Sequence, residues 1–157
     1  MLRATGQLLL IASGYLAASV AASAFLNIVA IWSLGWDAEA LPAIMAGSAF
    51  ISIPLLAVFL AYFAFVPGMV AIAAAELIGA RDWLFHAVAG GVVAGAALMF
   101  YGREARIDGV SLSSDPALAA TLVAGGIVGG LAYWLVAGRA SGAWRARAVN
   151  VPGSSGS

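Results

Sequence analysis

The sequence predicts an all-α integral membrane protein: four transmembrane helices in a compact bundle, with a short interfacial or re-entrant helix between spans two and three. Three observations carry this. Hydrophobic residues make up 64% of the 157 residues and charged ones 9%, with a mean hydropathy of +1.04, whereas soluble domains are about half apolar and about a quarter charged. The apolar residues fall in runs of about 20 or more, the length that crosses a hydrocarbon core of about 30 Å. Most ionisable residues lie between these runs or at the chain ends. Backbone groups inside a bilayer must be satisfied within the segment that carries them, so the runs are helices.

The first span covers about 8–34. Ala22-Ser23-Ala24 resembles a small-residue cleavage site, but the apolar run continues past it through Phe25, Leu26, Ile28, Val29, Ile31 and Trp32, too long for the core of a signal peptide. Trp32 and Trp36 fall where an interfacial aromatic anchor belongs. Ser19, Ser23 and Asn27 recur every fourth residue and form a polar stripe, which in lipid turns toward other helices and bonds to them.

The link 35–42 carries Asp37 and Glu39. The second span, about 43–66, has Gly47, Ser48 and Ser52 on or near one face and Pro54 within it. Proline removes the N–H that would bond to the Phe50 carbonyl, so a kink is expected there, with Ser52 or a neighbouring helix satisfying the freed carbonyl. Pro67-Gly68 closes the span. The stretch 69–80 is too short to cross by itself. Joined to the next span it would form one helix of about 50 Å, so a break is expected near Gly79. Asp82 then caps the third span, 83–101, by accepting from the Leu84 or Phe85 N–H.

The loop from Gly102 to Asp115 is the longest polar connection and holds Arg103, Glu104, Arg106 and a turn at Asp108-Gly109. Asp115-Pro116 reads as helix cap and first residue of the fourth span, 117–137. Residues 1–150 form one transmembrane domain, and 151–157 a flexible tail. With both termini in the cytoplasm, Arg3, Arg81, Arg139, Arg145 and Arg147 lie inside and only Arg103 and Arg106 outside, which favours that topology. Abundant Ala, Gly and Val with no lysine fit a GC-rich bacterial genome, and hence the bacterial inner membrane.

Val88 to Gly95 repeats as Val123 to Gly130 at an offset of 35 residues. Gly91 with Gly95, Gly125 with Gly129, and Gly126 with Gly130 make GxxxG pairs, which let helix backbones approach closely. Spans three and four are expected to pack through these faces, with a homodimer seam as the competing use.

The candidate polar or proton-relay site is Glu76, Asp82 and His86. Glu76 stands in an apolar stretch without an adjacent cation, and His86 is one turn beyond Asp82, within reach of it. Were 69–80 continuous with the third span, Glu76, Gly79, Trp83, His86 and Gly90 would share a face. Carboxylate and imidazole there could pass protons.

Seven arginines balance seven acids, so nothing draws nucleic acid. Cysteine is absent, which removes disulfides, thiolate catalysis and cysteine-held metals. One histidine gives no multi-ligand metal site, and no hydrolase, zincin, phosphate-loop or dinucleotide motif occurs, so no cofactor or enzyme activity is expected. The expected function is that of an accessory, assembly or scaffolding subunit acting through helix contacts, its partners being the bilayer and another membrane protein or a second copy. The alternative is a small transporter or proton-coupled channel using Glu76 and His86, with Pro54 as hinge.

Overall fold

The computed structural model describes residues 2–33, 41–102, 106–107, 110–111 and 114–140. Asp37, Glu39, Trp36, Arg103, Glu104, Asp108-Gly109, Arg145, Arg147 and the tail 151–157, all named above, lie outside the described residues, as do the side chains of Arg3, Ser48 and Arg106. The described residues form five helices: α1 Leu2–Ser33, α2 Leu41–Phe63, α3 Phe65–Ile78, α4 Trp83–Tyr101 and α5 Pro116–Val136, the last followed by a 3-10 turn Gly138–Ala140. Three stretches, Thr5–Ser33 of α1, α4 and α5, are long and apolar enough to cross a membrane. The connection between α4 and α5 holds one short antiparallel ladder, β1 Arg106–Ile107 on β2 Val110–Ser111, with Ile107 opposite Val110.

Helices α1 and α5 run antiparallel in close contact. A side chain at Gly14 would meet Ala137, one at Gly129 would meet Ala18 and Ala22, and one at Gly125 would meet Leu26. Helices α4 and α5 approach closer still. A Cβ on Gly90 would lie 2.1 Å from the Gly126 carbonyl oxygen, and one on Gly130 would lie 2.1 Å from the His86 carbonyl oxygen. Backbone therefore touches backbone, the contact that lets membrane helices gain dispersion energy that lipid does not offer.

The glycines divide their work in a way the repeat does not disclose. On α5, Gly126 and Gly130 serve α4, while Gly125 and Gly129 face α1, so its overlapping GxxxG pairs hold two different neighbours. On α4 the seam glycine is Gly90. Gly91 meets the Ile127 side chain, and Gly95 has open space in front of it, so the expected Gly91–Gly95 face is shifted by one residue. An α-helix turns by 100° per residue, so on α5 a one-residue shift moves the contact from α4 to α1.

The polar stripe of α1 holds α2. Ser23, 0% exposed, donates to the Ile53 carbonyl at 2.7 Å. Asn27 donates to the Ser23 carbonyl at 3.0 Å and accepts from Ser52 Oγ at 2.6 Å. The stripe extends in the same register to Tyr15, whose hydroxyl donates to the Ala61 carbonyl. Ser19 turns back on its own helix and donates to the Tyr15 carbonyl at 3.0 Å. Interhelical bonds of this kind contribute about 0.6 kcal/mol each, at most about 1.7. Ser23→Ala should therefore lower stability by about 0.6 to 1.7 kcal/mol in reversible unfolding from mixed micelles, with the loss falling on the α1–α2 pair.

Helix α2 passes through Pro54 without ending. Ser52 bonds to Asn27 and so does not serve the Phe50 carbonyl. The chain bends at Ala64, where Phe50–Phe63 and Phe65–Ile78 meet at 70°. Proline at position 67 accounts for the site of the break. Its ring crowds the carbonyl four residues earlier, that of Phe63, and it offers no N–H to it. Within α3 Pro67 lies in the first turn, where the missing N–H costs nothing. The span thus stops at Phe63, not Val66. Across the joint Ala64 N–H bonds to the Leu60 carbonyl and Gly68 N–H to that of Ala64. The Ala61 carbonyl, which a continuous helix would pair with Phe65, accepts from Tyr15.

After the joint α3 runs back along α4. Phe63 packs against Tyr101 at the C-terminal end of α4, with ring centroids 5.0 Å apart. At the other end of α3, Glu76 comes within electrostatic range of Tyr133, the partner of His86 near the start of α4. Ala75 is 1% exposed. Helix α3 ends at Gly79, as a left-handed cap with φ 71° and ψ 34°. The Gly79 and Ala80 N–H groups both bond to the Ala75 carbonyl, at 2.8 and 3.0 Å, which makes α3 a separate helix. At the start of α5 Asp115 accepts from the Ala117 and Leu118 N–H groups at 2.9 and 3.3 Å, and Pro116 occupies the first turn.

Candidate functional site

Residues of all five helices line an open-sided cavity of about 480 Å³. Its walls are built largely from small or apolar residues, among them Ala22 and Leu26 of α1, Ala71 of α3 and Ala94 and Ala97 of α4. Tyr15, Ser19, His86 and Tyr133 also border it. The glycine contacts explain why space remains. They draw α5 tightly onto α1 on one side and α4 on the other, while the broken limb α2–α3 closes the opposite side through fewer, longer side chains such as Tyr15 and Phe63.

Much of the polar lining is already engaged. The Tyr15 hydroxyl is spent on Ala61 and that of Ser19 on the Tyr15 carbonyl. His86 Nδ1 lies 2.9 Å from the Asp82 carbonyl oxygen; a carbonyl only accepts, so Nδ1 carries the proton. The remaining ring nitrogen, Nε2, is buried with no hydrogen-bond partner among the described residues. It lies against Gly138, where a Cβ would be 2.9 Å away.

The three residues of the sequence-derived polar site have different fates. His86 is buried at 4% exposed, with its ring stacked on Tyr133 at 5.7 Å and 22°. Glu76, half-buried, accepts from Gln7 Nε2 of α1 at 3.1 Å. The face shared by Glu76 and His86 on one continuous helix does not form, because Gly79 ends α3 between them. Asp82 departs from expectation twice. It sits at the cap position with extended backbone but makes no side-chain cap bond, and it meets His86 through its main-chain carbonyl, which cannot carry a proton. Once the carbonyl bonds to the ring, the carboxylate has no role in that contact. Among the described residues, no group of three or more His, Asp or Glu could hold a metal ion.

Sequence reading missed Gln7, Tyr15, Tyr133 and Gly138. Gln7 and Tyr15 had a signal: they stand twelve and four residues before Ser19 and continue the stripe of Ser19, Ser23 and Asn27 along one face. Trp134 joins the cluster through Nε1, which donates to the Arg81 carbonyl at 2.8 Å, while the Arg139 guanidinium lies 4.5 Å over its ring. This cluster thus gathers the beginnings of α1 and α4 and the ends of α3 and α5.

No family model, curated protein or solved structure matches the chain.

Proposed function

We propose that this chain is a non-enzymatic, four-span membrane protein that holds a hydrocarbon chain, the tail of a lipid or a similar apolar guest, between its helices. The observation that carries the reading is an open-sided cavity with mostly apolar walls, in which the Tyr15 and Ser19 hydroxyls already bond to backbone carbonyls. A guest offering hydrogen bonds would find few partners there, and one offering methylene groups would lose little. The volume of about 480 Å³ lies within the ~300–1,000 Å³ of small-molecule sites. A further helix, ~10–12 Å across with its side chains, is too wide for it. The fourth span in this reading is the bent pair α2–α3, with α3 inside the bundle because it follows α4. The first half of α1 and the end of α5 meet at the Gly14–Ala137 contact, near Arg81 and Arg139, and the arginine bias supports placing that side of the bundle in the cytoplasm of a bacterial inner membrane.

The test is native mass spectrometry of the protein released from mild detergent, with extraction and identification of what it retains. Wild type should keep an adduct of the mass of a chain-bearing molecule. Ala97→Phe, which fills the cavity from α4, should lose it. Equal adducts on both proteins would refute the reading.

The scaffolding reading has separate support in α2. That helix packs on α1 through one face and leaves Phe50, Ile51, Leu55, Val58 and Phe59 exposed, an open side for a partner helix. Photo-crosslinking from Val58 in native membranes should capture a specific protein if a partner sits there, and only lipid if none does. Proton transfer through Glu76 and His86 has weaker support, since Asp82 contributes only a carbonyl and His86 Nε2 meets Gly138. Unaltered proton flux in proteoliposomes carrying a Glu76→Gln, His86→Ala double variant would remove it.

A further inference from the structure

We infer that Arg139 is a binding site for the phosphate of an anionic lipid headgroup, held ready on the face of Trp134 where α4 and α5 reach the membrane surface. With α4 and α5 as membrane spans, the site stands at headgroup level and owes nothing to the cavity. Both helices are long and apolar enough to cross a membrane, and Arg139 follows directly on the end of α5, at the side where α4 begins. A guanidinium at that level meets phosphates and not hydrocarbon. It lies over the Trp134 ring, 4.5 Å from the centroid. The indole is held in turn, since its Nε1 donates at 2.8 Å to the carbonyl of Arg81, just before α4.

The turn that carries Arg139 is docked from behind. Ala137 is 3% exposed and faces Gly14 of α1. A Cβ on Gly138 would lie 2.9, 3.0 and 3.1 Å from Nε2, Cε1 and Cδ2 of His86, so residue 138 rests flat on the imidazole, which is tied through Nδ1 to the Asp82 carbonyl. Arg139 comes next and is exposed. The cation is thus placed without being consumed. An indole face attracts a guanidinium through its quadrupole but has no oxygen to take the N–H groups, and no carboxylate among the described residues pairs with Arg139. A planar fork of donors without an acceptor fits two oxygens of a phosphate. Leu135 and Val136, exposed on the same last turn of α5, offer an apolar wall to the chains of a lipid bound there. A free phosphate could make no use of it.

The experiment is a competition between headgroups on the full chain. Nanodiscs are made from equal parts of phosphatidylglycerol and phosphatidylcholine with identical acyl chains, and the lipids retained on the released protein are counted by native mass spectrometry. Because the chains are identical, anything held in the cavity weighs equally on both counts, and their ratio reports the headgroup alone. An empty cavity would lower both counts and leave the ratio in place. Wild type should favour phosphatidylglycerol, and Arg139→Gln should lower that preference about fivefold, the worth of one arginine beside an anionic lipid. Arg139→Lys, which keeps the charge but not the fork, should fall between the two. Trp134→Leu, which removes the platform, should also lower the ratio. Arg106→Gln takes the same charge from the connection at the opposite end of α4 and α5 and should keep the wild-type ratio, as should wild type with inorganic phosphate added at the concentration of the lipid. No headgroup preference in wild type, an unchanged ratio in Arg139→Gln, Arg139→Lys or Trp134→Leu, an equal loss in Arg106→Gln, or displacement of the lipid by inorganic phosphate would each overturn the site.

Discussion

Gly90→Ala should destabilise the fold sharply, while Gly95→Ala, one helical turn and a residue further along α4, should leave it unchanged or slightly more stable. The two substitutions add the same methyl group to the same helix. At Gly90 it arrives 2.1 Å from the Gly126 carbonyl oxygen and 3.0 Å from the Gly130 Cα. Those are backbone atoms of a second helix, with no flexible end to swing aside, so α4 and α5 must separate along their length. Overpacking of this kind costs about 1–3 kcal/mol, occasionally more. The penalty also spreads, since Gly130 meets the His86 carbonyl in the same seam. At Gly95 nothing lies within 4 Å, and alanine gains up to about 1 kcal/mol of helix propensity. Reversible unfolding of both variants in mixed micelles reads the difference. Equal stabilities would mean that the close approach of α4 and α5 is wrong.

The second large effect is expected at Gly79. Its φ of 71° is left-handed, a region in which a side chain costs roughly 1–2 kcal/mol, and more for a β-branched residue. Gly79→Val should therefore unravel the end of α3, where two N–H groups converge on the Ala75 carbonyl, and loosen the Glu76–Gln7 contact just before it. Gly47→Ala, at a position with open space around it, is the matched control and should be close to silent. The expected readout is earlier unfolding and faster proteolytic cutting near residue 79 in Gly79→Val alone.

Particular residues show what the sequence reveals and what it conceals. The helix limits at Trp83, Tyr101 and Pro116 follow from turn signals that act locally: a glycine that accepts φ above zero, an aspartate before a proline, a polar loop. The break at Ala64 was displaced from the predicted Pro67-Gly68 because a proline disturbs the turn before it, not the residue it occupies. Glycine spacing told which residues share a face of α5 but not which neighbour each face meets, and that choice sent Gly125 and Gly129 to α1. The polar stripe was read three residues long and is longer, because Gln7 and Tyr15 are separated from Ser19 by apolar positions that hide the register. Asp82 looked like a side-chain cap by position alone, yet its carbonyl, which sequence says nothing about, is what meets His86.

These contacts give the bundle a common logic. Glycines set how near α1, α4 and α5 come, the polar stripe of α1 holds the broken limb α2–α3, and the cavity is the space that the two arrangements leave between them. The return of α3 is the joint on which this depends. If α3 lay elsewhere, the cavity would lose one wall and Glu76 its partner.

The most direct test is therefore proximity of α1 to the end of α3. Residue pair Gln7→Cys and Glu76→Cys can be placed without background, since the chain has no cysteine. A bifunctional thiol reagent about two side chains long, applied to native membranes, should join the two helices within one chain, as required by the 3.1 Å contact between Gln7 and Glu76. Reaction of both thiols without intrachain joining would contradict the account, because it would place α3 away from the bundle and remove one wall of the cavity.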